Sequence, residues 1–344
     1  MKRVVLSGLF IAAMIITAAV TASCDKEDEG DKTFELGSLQ KILDGYIIKV
    51  IGFDSKGNAW IGTSPFDEQD QAQIIRYNGQ ETVFYNSDNS IIPEGFVASE
   101  IAVDKNDNVW IGGTGGLLKY DGQEFTLFNT QNTPMPLNYV KSVAVDSKNN
   151  VWFALCNSSN GGIVKYDGIK WTVYTPDNSI LPYNLVSNIA IDHSDNIWVA
   201  YCDCLVKISN SEWKIFTNKE LGFSPYYINA IQINSKNNVA GVIDYSFSSS
   251  FISSSSPDFF IFDGKKSTLF SCNTGIHRMM MPQITIDHND YVWCFGFVSI
   301  CGVWIGKHWK QIDFSELGGS NAWAMKEAPD HKLWIGTENG IYIR

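Results

Sequence analysis

The sequence predicts an all-β, seven-bladed β-propeller of four-stranded antiparallel blades, with the last blade closed by an N-terminal strand. Three observations carry this. A motif of two short apolar strands around a tight turn, Asp-x-x-Asp/Gly-Asn in its fullest form, recurs in seven imperfect copies. The copies are anchored at Trp60, Trp110, Trp152, Trp198, Ala240, Trp293 and Trp334, a mean spacing of about 46 residues, which suits one blade. Within each copy the apolar residues alternate with a period of two, the period of strands.

The N-terminal segment is not part of that ring. Lys2 and Arg3 precede an apolar stretch over residues 4–20, and Thr21, Ala22 and Ser23 lead to Cys24. A basic start, a short apolar run and small residues before a cysteine form the pattern of an export signal. Residues 1–23 are therefore expected to be a lipoprotein signal peptide, cut so that Cys24 becomes the lipidated N-terminus. The run is short for a spanning helix, and no second apolar run of spanning length follows. Residues 24–31 hold Asp25, Lys26, Glu27, Asp28, Glu29 and Asp31, which makes them an acidic tether. Residues 32–344 remain for a single propeller, ample for a full core. The formal net charge of −11 argues against binding nucleic acid or an anionic lipid surface. Membrane contact is expected through the lipid anchor only.

One copy shows the logic of all. Ile101, Val103, Val109 and Ile111 alternate as two strands, and Asp104 to Asn108 supply the turn between them. Asp and Asn bond to nearby backbone and tolerate the left-handed conformation that a tight turn needs. Residues 117–120 give a third strand, Asp121 and Gly122 a second tight turn, and residues 125–128 a fourth strand. Tyr166-Asp167-Gly168, Tyr77-Asn78-Gly79 and Phe262-Asp263-Gly264 repeat the second turn. The recurring Trp, identically placed in nearly every copy, reads as packing between blades and not as a row of sugar platforms. The last copy ends after three strands at Arg344. Residues 32–37, Lys-Thr-Phe-Glu-Leu-Gly, look like an orphan fourth strand and are expected to complete that blade, which would remove an exposed pair of edges.

The pattern Trp110-Ile111-Gly112, Gly116-Leu117 and Tyr120-Asp121-Gly122 resembles the two-component-regulator propeller repeat, common in Bacteroidetes as the sensor half of hybrid two-component systems. The resemblance covers nearly the whole mature chain and implies the propeller fold. Relatives of those sensors detect oligosaccharides. The acidic tract beside Cys24 is similar to the export tag of Bacteroidetes lipoproteins, which implies an outer-membrane lipoprotein exposed at the cell surface. The turns are also similar to those of streptogramin lyases, an enzyme family that needs a histidine and carboxylate cluster on one face. The histidines here are His193, His277, His288, His308 and His331, and no two are spaced as His-x-x-x-His.

Strand order places the two kinds of tight turn on one face and the long, variable connections on the other. Binding usually resides on variable loops held by a rigid scaffold. Several of these connections carry aromatics, and Tyr139, Tyr183, Tyr201, Tyr226, Tyr227 and Trp323 are the candidate ligand-binding residues. Aromatic faces beside Asn, Asp and Ser suit carbohydrate. Among the cysteines, Cys156 with Cys202 and Cys294 with Cys301 are candidate disulfides, with free thiols as the alternative. A metal at Cys202-Asp203-Cys204 lacks further spaced ligands, and the repeated Asp turns lack a calcium loop's ligand set, so no metal or cofactor is expected. No catalytic constellation is visible. The expected role is a monomeric cell-surface binding or scaffold module, with a glycan or an envelope protein as partner. The alternatives are a lyase or hydrolase with a site assembled across blades, or a protein–protein platform in an envelope complex.

Overall fold

The structure, a computed structural model, describes residues 21–22, 33–34, 37–65, 71–209, 212–225, 227–245, 257–270, 280–297, 301–312, 317 and 321–344. Cys24, the tether that follows it, Tyr226, the serine-rich stretch 246–256 and the side chain of Cys301 lie outside the described residues.

Seven antiparallel sheets follow one another as blades I to VII. Their inner strands are Ile47–Phe53, Ala98–Val103, Val140–Val145, Asn188–Ile191, Ile228–Ile233, Met280–Ile286 and Ala322–Glu327. Each inner strand contacts the next, and the seventh contacts the first, so the ring is closed. Blade II shows the common plan: Ala98–Val103, Val109–Gly113, Gly116–Tyr120 and Phe125–Phe128, paired in chain order from the centre outwards.

The sequence motif is a hydrogen-bonded clasp. In blade II the Asp104 carboxylate accepts from the backbone amides of Asn106 and Asn108, from Asn108 Nδ2 at 2.8 Å and from Trp110 Nε1 at 3.0 Å. Asp54, Asp146, Asp192 and Asp287 hold Trp60, Trp152, Trp198 and Trp293 in the same way. One carboxylate thus closes the turn and satisfies an indole N–H that would otherwise be buried unpaired. The indole packs against the following blade: Trp60 lies 4.9 Å from Tyr120, and Trp334 lies 5.2 Å from Phe53, ring centre to ring centre. The glycine two residues after the Trp lets that blade approach. A Cβ on Gly112 would sit 2.7 Å from Val140 Cγ1, and one on Gly336 would sit 2.5 Å from Ile48 Cγ2.

Blade V loses both partners of the clasp together. Asn234 replaces the aspartate and Ala240 the Trp, and Asn234 Oδ1 still accepts from the amides of Lys236 and Asn238. Without an indole N–H there is no call for a second carboxylate oxygen. The volume is filled from both sides: Phe259 stacks on Phe270 at 4.4 Å, and Trp309 of blade VI comes within 5.6 Å of Phe259.

A second set of bonds links the first-turn loops of successive blades. The amide after the clasp aspartate donates to the side chain of the left-handed residue in the next blade's turn. Ser55 donates to Asp107, Lys105 to Asn149, Ser147 to Asp195, His193 to Asn237 and Ser235 to Asp290, at 2.7 to 3.0 Å. From blade VI to VII the left-handed position is His331, and Glu327 accepts from the His288 amide instead, at 2.7 Å. Between blades VII and I the equivalent positions are Pro329, which has no N–H, and Gly57, which has no side chain.

An N-terminal strand closes the last blade, but it is Gln40–Ile42, paired antiparallel with Gly340–Ile343. Residues 32–37 were expected there; Thr33–Phe34 instead runs parallel to the outer strand of blade VI, Trp309–Ile312. The reason is proximity. Residues 43–46 make a tight turn, with Leu43 and Gly45 at positive φ, that leads straight from the closing strand into the inner strand of blade I. Ile42, Leu43 and Tyr46 then pack on the core shared by blades I and VII. Thr21–Ala22 pairs in parallel with the outer strand of blade V.

Candidate functional site

The centre of the ring is a channel of about 750 Å³ lined by the inner strands. One end of it lies on the loop-bearing face, where the inner strands begin. There the pairing of inner and second strands slips by one residue in blades I, II, III, V and VII, between Ile48 and Val50, Ala98 and Glu100, Val140 and Ser142, Ile228 and Ala230, and Ala322 and Ala324. The residues left over are Lys49, Ser99, Lys141, Asn229 and Trp323, and all five line the channel. A bulge re-aims a side chain away from the plain alternation of a strand. Repeated around the ring, it places one variable side chain from each of these five blades at the channel.

Three of these residues take part in cation–aromatic pairs. Lys49 Nζ stands 3.6 Å from the Trp323 ring, and Lys141 Nζ stands 5.9 Å from the Tyr227 ring. Tyr139, 38% exposed, completes this side of the mouth beside Lys141. Burial lowers the pKa of Lys49. In the channel, burial raises the Glu100 carboxyl to about 7, against the pull of Lys326 and a backbone hydrogen bond. Among the described residues that line the channel, three lysines accompany one carboxylate. The chain as a whole carries a net −11, so the channel inverts the sign of its surroundings. Polar side chains also tie neighbouring inner strands: Ser142 Oγ accepts from Asn188 Nδ2 and the Ile189 amide at 3.1 Å, and Asn188 Oδ1 accepts from the Ile231 amide at 3.0 Å.

Of the expected ligand-binding residues, Tyr139 and Trp323 line the channel, and Tyr227 stands behind Lys141 without lining it. Tyr183 is exposed on a loop of blade IV, its hydroxyl 3.4 Å from Asp203 Oδ2, and does not line the channel. Tyr201 is fully buried and belongs to the core between blades III and IV. Its place follows from strand alternation: Ile197, Val199 and Tyr201 share one face. Among the described residues its hydroxyl has no hydrogen-bond partner, and burial raises its pKa strongly. Cys156 and Cys202 are half-buried free thiols, and burial pushes both pKa values up. Cys204 is buried and raised to about 12, by burial first and Asp203 second. These thiols hold their protons at neutral pH and are poor nucleophiles.

Sequence reading missed Lys49, Lys141, Lys326 and Glu100. The signal available was positional: Lys49, Lys141 and Trp323 stand at one register in three inner strands, visible once the Trp repeats are aligned.

No family model and no curated protein matches this sequence. Solved structures do match. Virginiamycin B lyase from Staphylococcus aureus, solved with quinupristin, superposes with a TM-score of 0.67 at 13% identity, over 89% of this chain and 98% of that one. The extracellular domain of a putative hybrid two-component system from B. thetaiotaomicron gives 0.64 at 15% identity, over 89% of this chain and 39% of that one. PorZ, a surface component of the type-IX secretion system of Porphyromonas gingivalis, gives 0.63 at 15% identity, over 85% of this chain and 46% of that one. The chain thus spans less than half the length of the latter two. At these identities the likeness is one of fold: this chain shares its propeller ring with the extracellular domain of a putative two-component system, with a secretion-system surface component and with a lyase.

Proposed function

We propose that this protein is a binding module, carried on the cell surface by a lipidated Cys24, whose ligand is a carbohydrate bearing carboxylate groups. The observation that carries the reading is the ring of bulged residues at the channel mouth. It presents lysines and an aromatic face at once, over a channel where, among the described residues, Glu100 is the lining carboxylate. Aromatic faces suit the C–H surface of a sugar, and lysines beside them suit an acidic substituent. The repeat resemblance to oligosaccharide-detecting sensors supports the same class of ligand. The lipoprotein reading rests on the N-terminal pattern; among the described residues no helix is long and apolar enough to cross a membrane.

Calorimetric titration of the purified chain with neutral and uronic-acid oligosaccharides tests this. Saturable binding of the acidic set is expected, weakened roughly tenfold, about 1.4 kcal/mol, by Lys141→Ala or Trp323→Ala and left unchanged by Tyr183→Ala. Equal binding of neutral and acidic sugars would remove the role given to the lysines. Binding of neither set would favour the protein-platform alternative.

A further inference from the structure

We infer that His288, Glu327 and His331 form a binding site for a first-row divalent cation such as zinc, joining blade VI to blade VII on the tight-turn face. This site is independent of the channel mouth. One ligand atom from each residue lies within 4.8 Å of the other two. Glu327 Oε1 faces the Nδ1 atoms of both imidazoles, 3.2 Å from His331 and in direct contact with His288. The two rings are 4.2 Å apart, centre to centre. Two imidazoles that converge on one carboxylate oxygen repel each other if both are charged. A divalent cation at their meeting point takes a lone pair from each ring and one from the carboxylate. Two histidines and one carboxylate are a donor set that zinc accepts, with a fourth position left to water.

The site is also preorganised. Glu327 Oε2 is fixed by the His288 amide at 2.7 Å, and His331 is held at φ 64° by its turn. The Glu327 side chain is 15% exposed, whereas those of His288 and His331 are 45% and 64% exposed, so the carboxylate forms the floor and the rings the open side. A cavity of about 300 Å³ adjoins them, lined also by Asp287, Tyr291 and Arg344. Asp287 is committed to Trp293 and to two turn amides, which leaves Glu327 as the carboxylate for an ion.

Turn chemistry does not account for the trio. At the left-handed position the preceding five blades carry Asp107, Asn149, Asp195, Asn237 and Asp290, residues that accept the interblade hydrogen bond. Blade VII carries an imidazole there and moves the acceptor to a glutamate four residues earlier. His193 shows the contrast: it occupies the place of His288 in blade IV, and there the next blade offers Asn237.

Zinc titration of the purified full-length chain, stripped with a chelator, tests the proposal, with cobalt as a spectroscopic probe. One equivalent of zinc is expected to bind and to raise the melting temperature. His331→Asn installs the residue that Asn149 and Asn237 provide in the same conformation, so the turn is retained while the ligand is lost. His331→Asn and Glu327→Gln are each expected to weaken zinc binding roughly tenfold or more, and His193→Ala to leave it unchanged. No stoichiometric binding at micromolar zinc would overturn the assignment. So would unaltered binding in both variants, which would place the ion on other groups such as the thiols, or an equal loss in His193→Ala.

Discussion

A double-mutant cycle at Asp104 and Trp110 tests the clasp that organises blades I to IV and VI. Trp110 is 3% exposed, and truncating it to Ala removes a packed indole at about 3–5 kcal/mol. Asp104→Asn keeps one oxygen for the amides of Asn106 and Asn108 but turns an NH₂ towards Trp110 Nε1 and Asn108 Nδ2, which now face a donor. Asn108 is half-buried and can turn to water, whereas the indole cannot. One buried unpaired donor costs about 1–3 kcal/mol, so Asp104→Asn alone should cost about 2 kcal/mol. On the Trp110→Ala background the stranded donor is gone, and the same substitution should cost less than about 1 kcal/mol. Blade V supports this, since Asn234 and Ala240 coexist there with the turn intact. For a ring of this size about 1 kcal/mol corresponds to about 2 °C, so the coupling should appear as about 2–4 °C in scanning calorimetry of the four proteins. Additivity within about 0.5 kcal/mol would refute the idea that aspartate and Trp act as one unit.

Other outcomes follow from the same structure. Tyr201→Phe should be neutral or stabilising by about 1 kcal/mol, since it deletes a buried hydroxyl with no partner among the described residues, and it should leave ligand titrations unchanged; a loss of binding would return Tyr201 to the site. The Glu100 carboxyl, raised to about 7 by burial, keeps in the folded ring a proton that the unfolded chain releases above 4.5. Its contribution to stability therefore falls as pH rises from 4.5 to about 7 and is level beyond, and Glu100→Gln should flatten that part of a denaturation series. An acidic sugar should bind more tightly at pH 6 than at pH 8, with the difference abolished in Glu100→Gln. Deleting residues 40–42 opens the pairing with Gly340–Ile343 and should lower hydrogen-exchange protection in every blade; loss confined to blade VII would show that the ring does not depend on closure.

The number of blades, their boundaries and the packing role of the Trp residues were legible because each depends on neighbours within about ten residues. The turn aspartate, the Asn and the Trp sit four and six positions apart and recur. The closing strand was harder, since residues 32–37 and 40–42 both alternate and only the turn at 43–46 decides between them. The mouth was legible through its aromatics at Tyr139 and Trp323, and misleading at Tyr201, where the period of the preceding strand was the better guide. Lys49 and Lys141 reach the channel because the register slips beneath them, and a one-residue slip leaves no mark in an isolated segment. His288 and Glu327 are 39 positions apart and meet only because one blade follows another.

The backbone-amide links between first-turn loops all run in one sense: a blade donates an amide, and its successor provides the acceptor. The ring therefore has a handed dependence that its near-symmetry conceals. A substitution at Asp195 in blade IV releases Ser147 of blade III, so its first effect is felt one blade upstream of the change. The series has a first member and a last, because Pro329 cannot donate and Gly57 has nothing to accept with. At that seam the two ends of the chain are joined by Gln40–Ile42 and by the packing of Trp334 on Phe53 and Tyr77. A circle in form is, in its turn contacts, a line of blades whose loose ends are held together by the strand that closes it.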